Sequence, residues 1–107
     1  MDIIFKCVNC DASEKVQERL EMNLEKMAKK YPWIKDATVF LKNEPGENDR
    51  NNVVEILLGV PGPDMFAKAR KETFELAAAE ATEGIRRQLK KQKEKTFAHA
   101  TINPVKE

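Results

Sequence analysis

A chain of 107 residues, 41% hydrophobic and 35% charged, has room for one small domain with a single core and a heavily solvated surface. No stretch approaches the roughly 20 apolar residues of a membrane span. Residues 1–6 lack the basic start and long apolar run of a secretory signal, so a cytoplasmic protein with no membrane partner is expected. Nineteen Lys and Arg against 18 Asp and Glu leave a formal net charge of +1, which excludes a uniformly basic or acidic molecule.

Residues 2–8 alternate, with Ile3, Phe5 and Cys7 on one side and Ile4, Lys6 and Val8 on the other, which predicts a strand with Cys7 toward the core. Ser13 then offers a hydroxyl that accepts an orphan backbone N–H at a helix start. Val16, Leu20, Leu24, Met27 and Tyr31 recur at spacings of four, four, three and four, which makes one helical stripe. Pro32 ends that helix, because the residue before proline is pushed out of the helical region. Trp33 is expected to close the core at the helix end. Residues 37–41 predict a second strand with Ala37, Val39 and Leu41 inward. Residues 45–51 are polar and turn-forming and predict a mobile hairpin loop. Residues 53–58 follow as a third strand with Val54, Ile56 and Leu58 inward, and residues 61–64, with two prolines flanking Gly62, predict a tight turn. The fourth strand, 65–70, faces Met65, Ala67 and Ala69 to the core and Phe66, Lys68 and Arg70 away from it. Thr73 caps the second helix, predicted over 74–95, whose stripe is Phe74, Ala77, Ala78, Ala81, Ile85 and Leu89. Gly84 weakens that helix by roughly 1 kcal/mol relative to alanine. Residues 96–107 show no periodicity, contain Pro104, and read as a flexible tail.

The order is β-α-β-β-β-α. It predicts an α+β fold, a four-stranded sheet with both helices on one face, because that arrangement buries every stripe. The expected division is a domain over 1–95 and a tail over 96–107.

Charge is sorted along this order. Between Gly84 and Lys95 lie Arg86, Arg87, Lys90, Lys91, Lys93 and Lys95 against one acid, Glu94, so this segment carries +5 and the remainder −4. A basic helix end complements the macrodipole and is often only a solvated face. It is also what a nucleic-acid or acidic-surface binder requires. Lys26, Lys29 and Lys30 form a second cluster at the end of the first helix. Side by side, the two ends would make one basic patch. Clustered cations neutralise phosphates and release counterions, which gives salt-dependent binding, and arginine adds a planar fork for phosphate.

Signals for catalysis are absent. The one histidine, His99, falls in the expected tail, and no nucleophile–base pair, Gly-rich phosphate loop or metal-spaced cluster is visible. Glu14, Glu18, Glu21 and Glu25 follow helical spacing beside Lys15 and Arg19 and read as solvated ion pairs. An enzyme, a cofactor, a metal site and a small-molecule substrate are all not expected. Cys7-Val8-Asn9-Cys10 is a lone C-x-x-C at a strand end rather than a helix start, and it reads as structural thiols ahead of a redox or metal pair. Phe40 and Phe66 lie on the open sheet face. Covering the sheet is the favoured reading, and stacking on RNA bases is the alternative.

Several local matches point to one family. The opening strand with Ile3 and Phe5, then Asn9 and the hydroxyl of Ser13, resembles the start of the ribosome hibernation-promoting factors, also called the ribosome-associated inhibitor, protein Y or sigma-54 modulation family. Leu24-Glu25-Lys26-Met27-Ala28-Lys29 is similar to that family's L-E-K-L-x-K helix end. Asn43-Glu44-Pro45 sits where many members have a strand end and a polar hairpin. Ile85-Arg86-Arg87-Gln88-Leu89-Lys90-Lys91-Gln92-Lys93 is close to its L-E-R-Q-L-x-K-x-K signature, the most specific of the four. The likeness runs from Met1 to about Lys95. Departures are Gly84 in place of a common lysine, Arg86 in place of an acid, Val8 in place of a polar or basic residue, Cys7 and Cys10 in place of a small and an apolar residue, and Thr73 and Phe74 in place of an acid and an apolar residue.

The resemblance implies a fold similar to a double-stranded RNA-binding domain and a bacterial translation regulator of the stress response. Such a protein docks on the rRNA of the small ribosomal subunit and overlaps the path of mRNA and tRNA. Carried over by position, Lys26 and Lys29 match basic residues of the first helix end, Arg87 and Lys91 those of the second helix, and Arg70 one before it. With the charge clusters added, the expected RNA-binding set is Lys26, Lys29, Lys30, Arg70, Arg86, Arg87, Lys90, Lys91 and Lys93. No stable homo-oligomer is expected. The chain stops about twelve residues after the basic helix, too few for a further core, so blockage of translation without pairing of ribosomes is expected unless a partner supplies that contact. The alternative function is a protein-interaction module whose basic helix modulates a transcription factor.

Overall fold

The computed structural model describes residues 1–8, 14–46 and 50–102, with side chains through Lys93. The elements follow the order β1 (Asp2–Val8), α1 (Glu14–Lys30), β2 (Asp36–Asn43), β3 (Asn52–Gly59), β4 (Met65–Lys71) and α2 (Phe74–Ile102). The four strands form one sheet in the order β1-β2-β3-β4. β1 runs parallel to β2, and the other two pairs are antiparallel. The α+β fold expected from the order of elements is the one observed.

Register explains the two faces. Ile3 lies beside Ala37, which pairs with Leu58, which pairs with Met65; Phe5, Val39, Ile56 and Ala67 make the next row. These rows face the helices and join the stripes of α1 and α2 in one core. Every position of both predicted helical stripes is buried. Full burial of a Leu or Ile side chain contributes roughly 1.5–3 kcal/mol, so Leu20, Leu24, Ile56, Leu58, Ile85 and Leu89, all at 1% exposure or less, dominate the hydrophobic stabilisation.

Local chemistry sets the helix ends. The Leu76 N–H donates to Thr73 Oγ1 at 3.1 Å, the side-chain cap expected of a threonine at that position. Ser13, expected to cap α1, lies outside the described residues. Gly62, at φ 88°, occupies the left-handed region that glycine enters without a Cβ penalty, which fixes the turn into β4.

Two expectations need correction. The expected helix end at Lys95 is too early: α2 runs to Ile102. Residues 96–102 hold no glycine or proline, and helix continues at little cost from a formed turn until Pro104 approaches. The helix therefore crosses the expected boundary between domain and tail, and residues 103–107 lie outside the described residues. Cys7 is exposed rather than core-facing, and it is disulfide-bonded rather than a thiol. β1 is an edge strand, and the covered part of its inner face is Ile3 and Phe5. Cys10 lies outside the described residues.

Candidate nucleic-acid interface

Strand directions bring the helix ends together. β4 runs antiparallel to β3, which runs antiparallel to β2, so β4 points the same way as β1 and β2. α1 leaves the end of β1 and returns to the start of β2. α2 leaves the end of β4 and returns along it, since Gln88 Nε2 donates to the Phe66 carbonyl at the start of β4, 2.8 Å away. α1 therefore ends where β1, β2 and β4 begin, and the basic stretch of α2 passes the same end of the sheet before the helix runs on to Ile102. The negative dipole end of α1 lies there, and Lys29 and Lys30 in its last turn offset it.

Tyr31 marks the junction. Its ring is buried at 3% exposure and meets Trp33 edge-on at 5.6 Å, the cover at the helix end that Trp33 was expected to form. Lys30 Nζ lies 5.6 Å from the ring centroid, and Lys93 Nζ, from the other helix, 5.9 Å. Two cations from two elements share one aromatic ring, each held by the ring quadrupole. The clusters read separately in the sequence are thus one surface.

The cations of this surface are uncommitted. Lys26, Lys29, Lys30, Arg87, Lys90, Lys91 and Lys93 are all exposed, and among the described residues no ion pair engages any of them. Arg86 differs, because its guanidinium pairs with Glu83 one turn earlier. Arg87, Lys90 and Lys91 line a groove of about 560 Å³ together with Gly84 and Gln88.

Arg70 stands apart from this patch. It lies on the open face, at the far end of β4, and its Nη1 donates to the backbone carbonyls of Glu44 and Arg50, both at 3.2 Å, and of Pro45 at 3.4 Å. Nη2 donates to Glu44 Oε1 at 2.9 Å. The guanidinium fork pins both described ends of the 45–51 loop. Gly46 permits the approach, since a Cβ there would collide with the Arg50 carbonyl and the Arg70 guanidinium. The tip of this expected mobile loop, 47–49, lies outside the described residues.

The family model described as sigma 54 modulation protein / S30EA ribosomal protein matches residues 3–96. The chain belongs to that family. Membership places it among ribosome-associated proteins, and the matched span takes in both basic helix ends. Solved structures share the fold. A ribosomal subunit interface protein from Coxiella burnetii has a TM-score of 0.74 at 19% identity, over 88% of this chain and 99% of its own. The protein Y N-terminal domain of Thermus thermophilus has a TM-score of 0.69 at 18% identity, over 85% of this chain and 98% of its own. At such identities the likeness is one of fold. Among curated proteins, none matches this chain.

Three residues of this S30EA-family chain have roles the sequence did not disclose. Tyr31 reads as the last position of a core stripe, yet its ring also seats the two lysines. Gln88, inside the family-like signature, ties α2 to the edge strand. Gly84, where the family commonly has lysine, lies so near the sheet that a Cβ would sit 3.2 Å from Ala67 Cβ. Only the heptad-like spacing of Gly84, Gln88 and Lys91 hinted that one side of α2 faces β4. Among the described residues no group of three or more His, Cys, Asp or Glu is placed to hold a metal, and no helix is long and apolar enough to cross a membrane.

Proposed function

We propose that this protein binds the rRNA of the small ribosomal subunit through the joined ends of α1 and α2 and thereby obstructs the path of mRNA and tRNA. The observation that carries this reading is the convergence of Lys30 and Lys93 on the Tyr31 ring, which unites two exposed clusters that, among the described residues, pair with no acid except Arg86 with Glu83. The lysines and arginines of such a surface displace the cations condensed on RNA phosphates into bulk solution, and the entropy of that release drives binding. Structured RNA is recognised largely by shape and backbone, so a rigid ridge of lysines and arginines on two packed helices suits it. Lys26, Lys29 and Lys30 serve one side and Arg87, Lys90, Lys91 and Lys93 the other. Arg86 contributes in exchange for its Glu83 pair, and Arg70 holds the hairpin rather than RNA. Action in the cytoplasm, without catalysis, follows from this role.

Co-sedimentation with purified small subunits at two salt concentrations tests the proposal. The protein is expected to travel with the subunit at low salt, to leave it as salt rises, and to reduce initiation on added mRNA. No co-sedimentation at low salt would contradict it, and would turn attention to an acidic protein partner.

A further inference from the structure

The open face holds two phenylalanines in different states. Phe40 is half-buried, and its ring is covered by Lys6 Nζ at 5.7 Å and Lys42 Nζ at 5.8 Å. Its role is to cover the sheet. Phe66 is 47% exposed, and among the described residues no aromatic ring or cation lies against it. An exposed phenylalanine loses apolar burial that a smaller polar residue would not forgo.

Its position gives it a use. Phe66 lies on the edge strand β4, and its own carbonyl accepts the Gln88 side chain. Gln88 also lines the groove with Arg87, Lys90 and Lys91. One hydrogen bond therefore joins the cationic groove of α2 to the backbone of the exposed aromatic. Gly84 keeps the helix close to the strand at Ala67, the next residue. A basic groove that tracks phosphates, beside an open π face, is the combination that holds single-stranded nucleic acid.

We infer that Phe66 seats one unpaired base of an RNA strand whose phosphates lie along Arg87 and Lys91. The strand crosses the β4 edge, so that the base lies on the open face and the backbone on the helical side. This rests on the proposed RNA binding and adds to it a class of element: an unpaired nucleotide beside the docked backbone. Stacking is sequence-tolerant because every base has a π face, so the site reads single-strandedness rather than a particular base. The row Ile4, Thr38, Leu57 and Phe66 gives the open face some apolar character as well. Charge decides between occupants, since the flanking groove contributes cations and no acid.

The test measures affinity for a short oligouridylate and for a blunt RNA duplex of equal phosphate count, with the full chain and its Phe66→Ala, Phe66→Leu and Phe66→Tyr variants. Thermal unfolding checks that each variant folds. Phe66→Ala and Phe66→Leu are expected to weaken oligouridylate binding about tenfold, while Phe66→Tyr retains it. Duplex affinity and the salt slope stay at the wild-type values in all three. An Arg87→Gln, Lys91→Gln variant weakens both probes. Wild-type oligouridylate affinity in Phe66→Ala overturns the inference. So does full function in Phe66→Leu, the mark of an apolar protein-docking face, and so does an equal loss on the duplex, the mark of a scaffold role. Wild-type protein that binds the duplex and the small subunit but not oligouridylate defeats this inference alone. Protein that binds none of the three defeats the proposed function itself.

Discussion

On the open face of the sheet Lys42 and Lys68 both reach Glu55, at 3.3 and 3.6 Å, and Arg70 reaches Glu44 at 2.9 Å. At the helix ends Lys26, Lys29, Lys30, Arg87, Lys90, Lys91 and Lys93 meet no carboxylate among the described residues. The two regions show that the number of cations is a poor guide to binding and their pairing a better one. A paired cation must give up its carboxylate before it neutralises a phosphate. An unpaired one gives up only water and counterions, and the released counterions favour the complex. Under the proposed function, the paired face serves as architecture and the unpaired end as the interface.

The comparison breaks first at Arg87, Lys90 and Lys91. Their combined replacement by glutamine is expected to weaken small-subunit binding about ten- to hundredfold at moderate salt. The same change should move stability by less than about 0.5 kcal/mol, because exposed unpaired charges contribute little to folding. Equilibrium binding and urea unfolding of the one variant separate the two effects.

Arg70→Ala probes the other region. Loss of a guanidinium that serves three carbonyls and a carboxylate is expected to cost about 1–2 kcal/mol of stability. Subunit affinity should stay within about twofold of wild type, since the fork faces the hairpin. A large affinity loss with unchanged unfolding would place Arg70 in the interface and dissolve the contrast.

Two smaller changes sharpen the account of how α2 is presented. Thr73→Ala removes the cap on the Leu76 N–H and is expected to lower stability by about 1 kcal/mol. Thr82 is 3% exposed, and among the described residues its hydroxyl has no hydrogen-bond partner. Thr82→Val removes a buried unsatisfied oxygen at nearly constant volume and should raise stability by up to about 1 kcal/mol. Denaturant midpoints read both, and neither variant should alter RNA affinity.

Much of this was legible from residue spacing. The stripes at 16–31 and 74–89 and the strand alternations placed nearly every core side chain, because burial against one sheet is a local, periodic demand. Cys7 failed that logic, since alternation says which face a residue takes and not whether a helix covers it there. Length failed at α2, whose residues 96–102 carry no apolar period and are helical without one. The union of the two basic clusters followed from topology once the helices shared a face. The sorting of cations into paired and unpaired was not legible. Glu55 lies 13 positions from both Lys42 and Lys68, and Glu44 lies 26 from Arg70; only the register brings such pairs into contact.

The most direct test measures the salt dependence of small-subunit binding for wild type, for Arg87→Gln/Lys90→Gln/Lys91→Gln, and for Lys42→Gln/Lys68→Gln. Removing one cation that neutralises a phosphate should lower the slope of log affinity against log salt by about 0.7–0.9. The account predicts a slope reduced by about 2–3 in the helix-end variant and unchanged in the sheet variant. An equal reduction in both, or a reduction confined to the sheet variant, would contradict the claim that unpaired charge at the helix ends forms the interface.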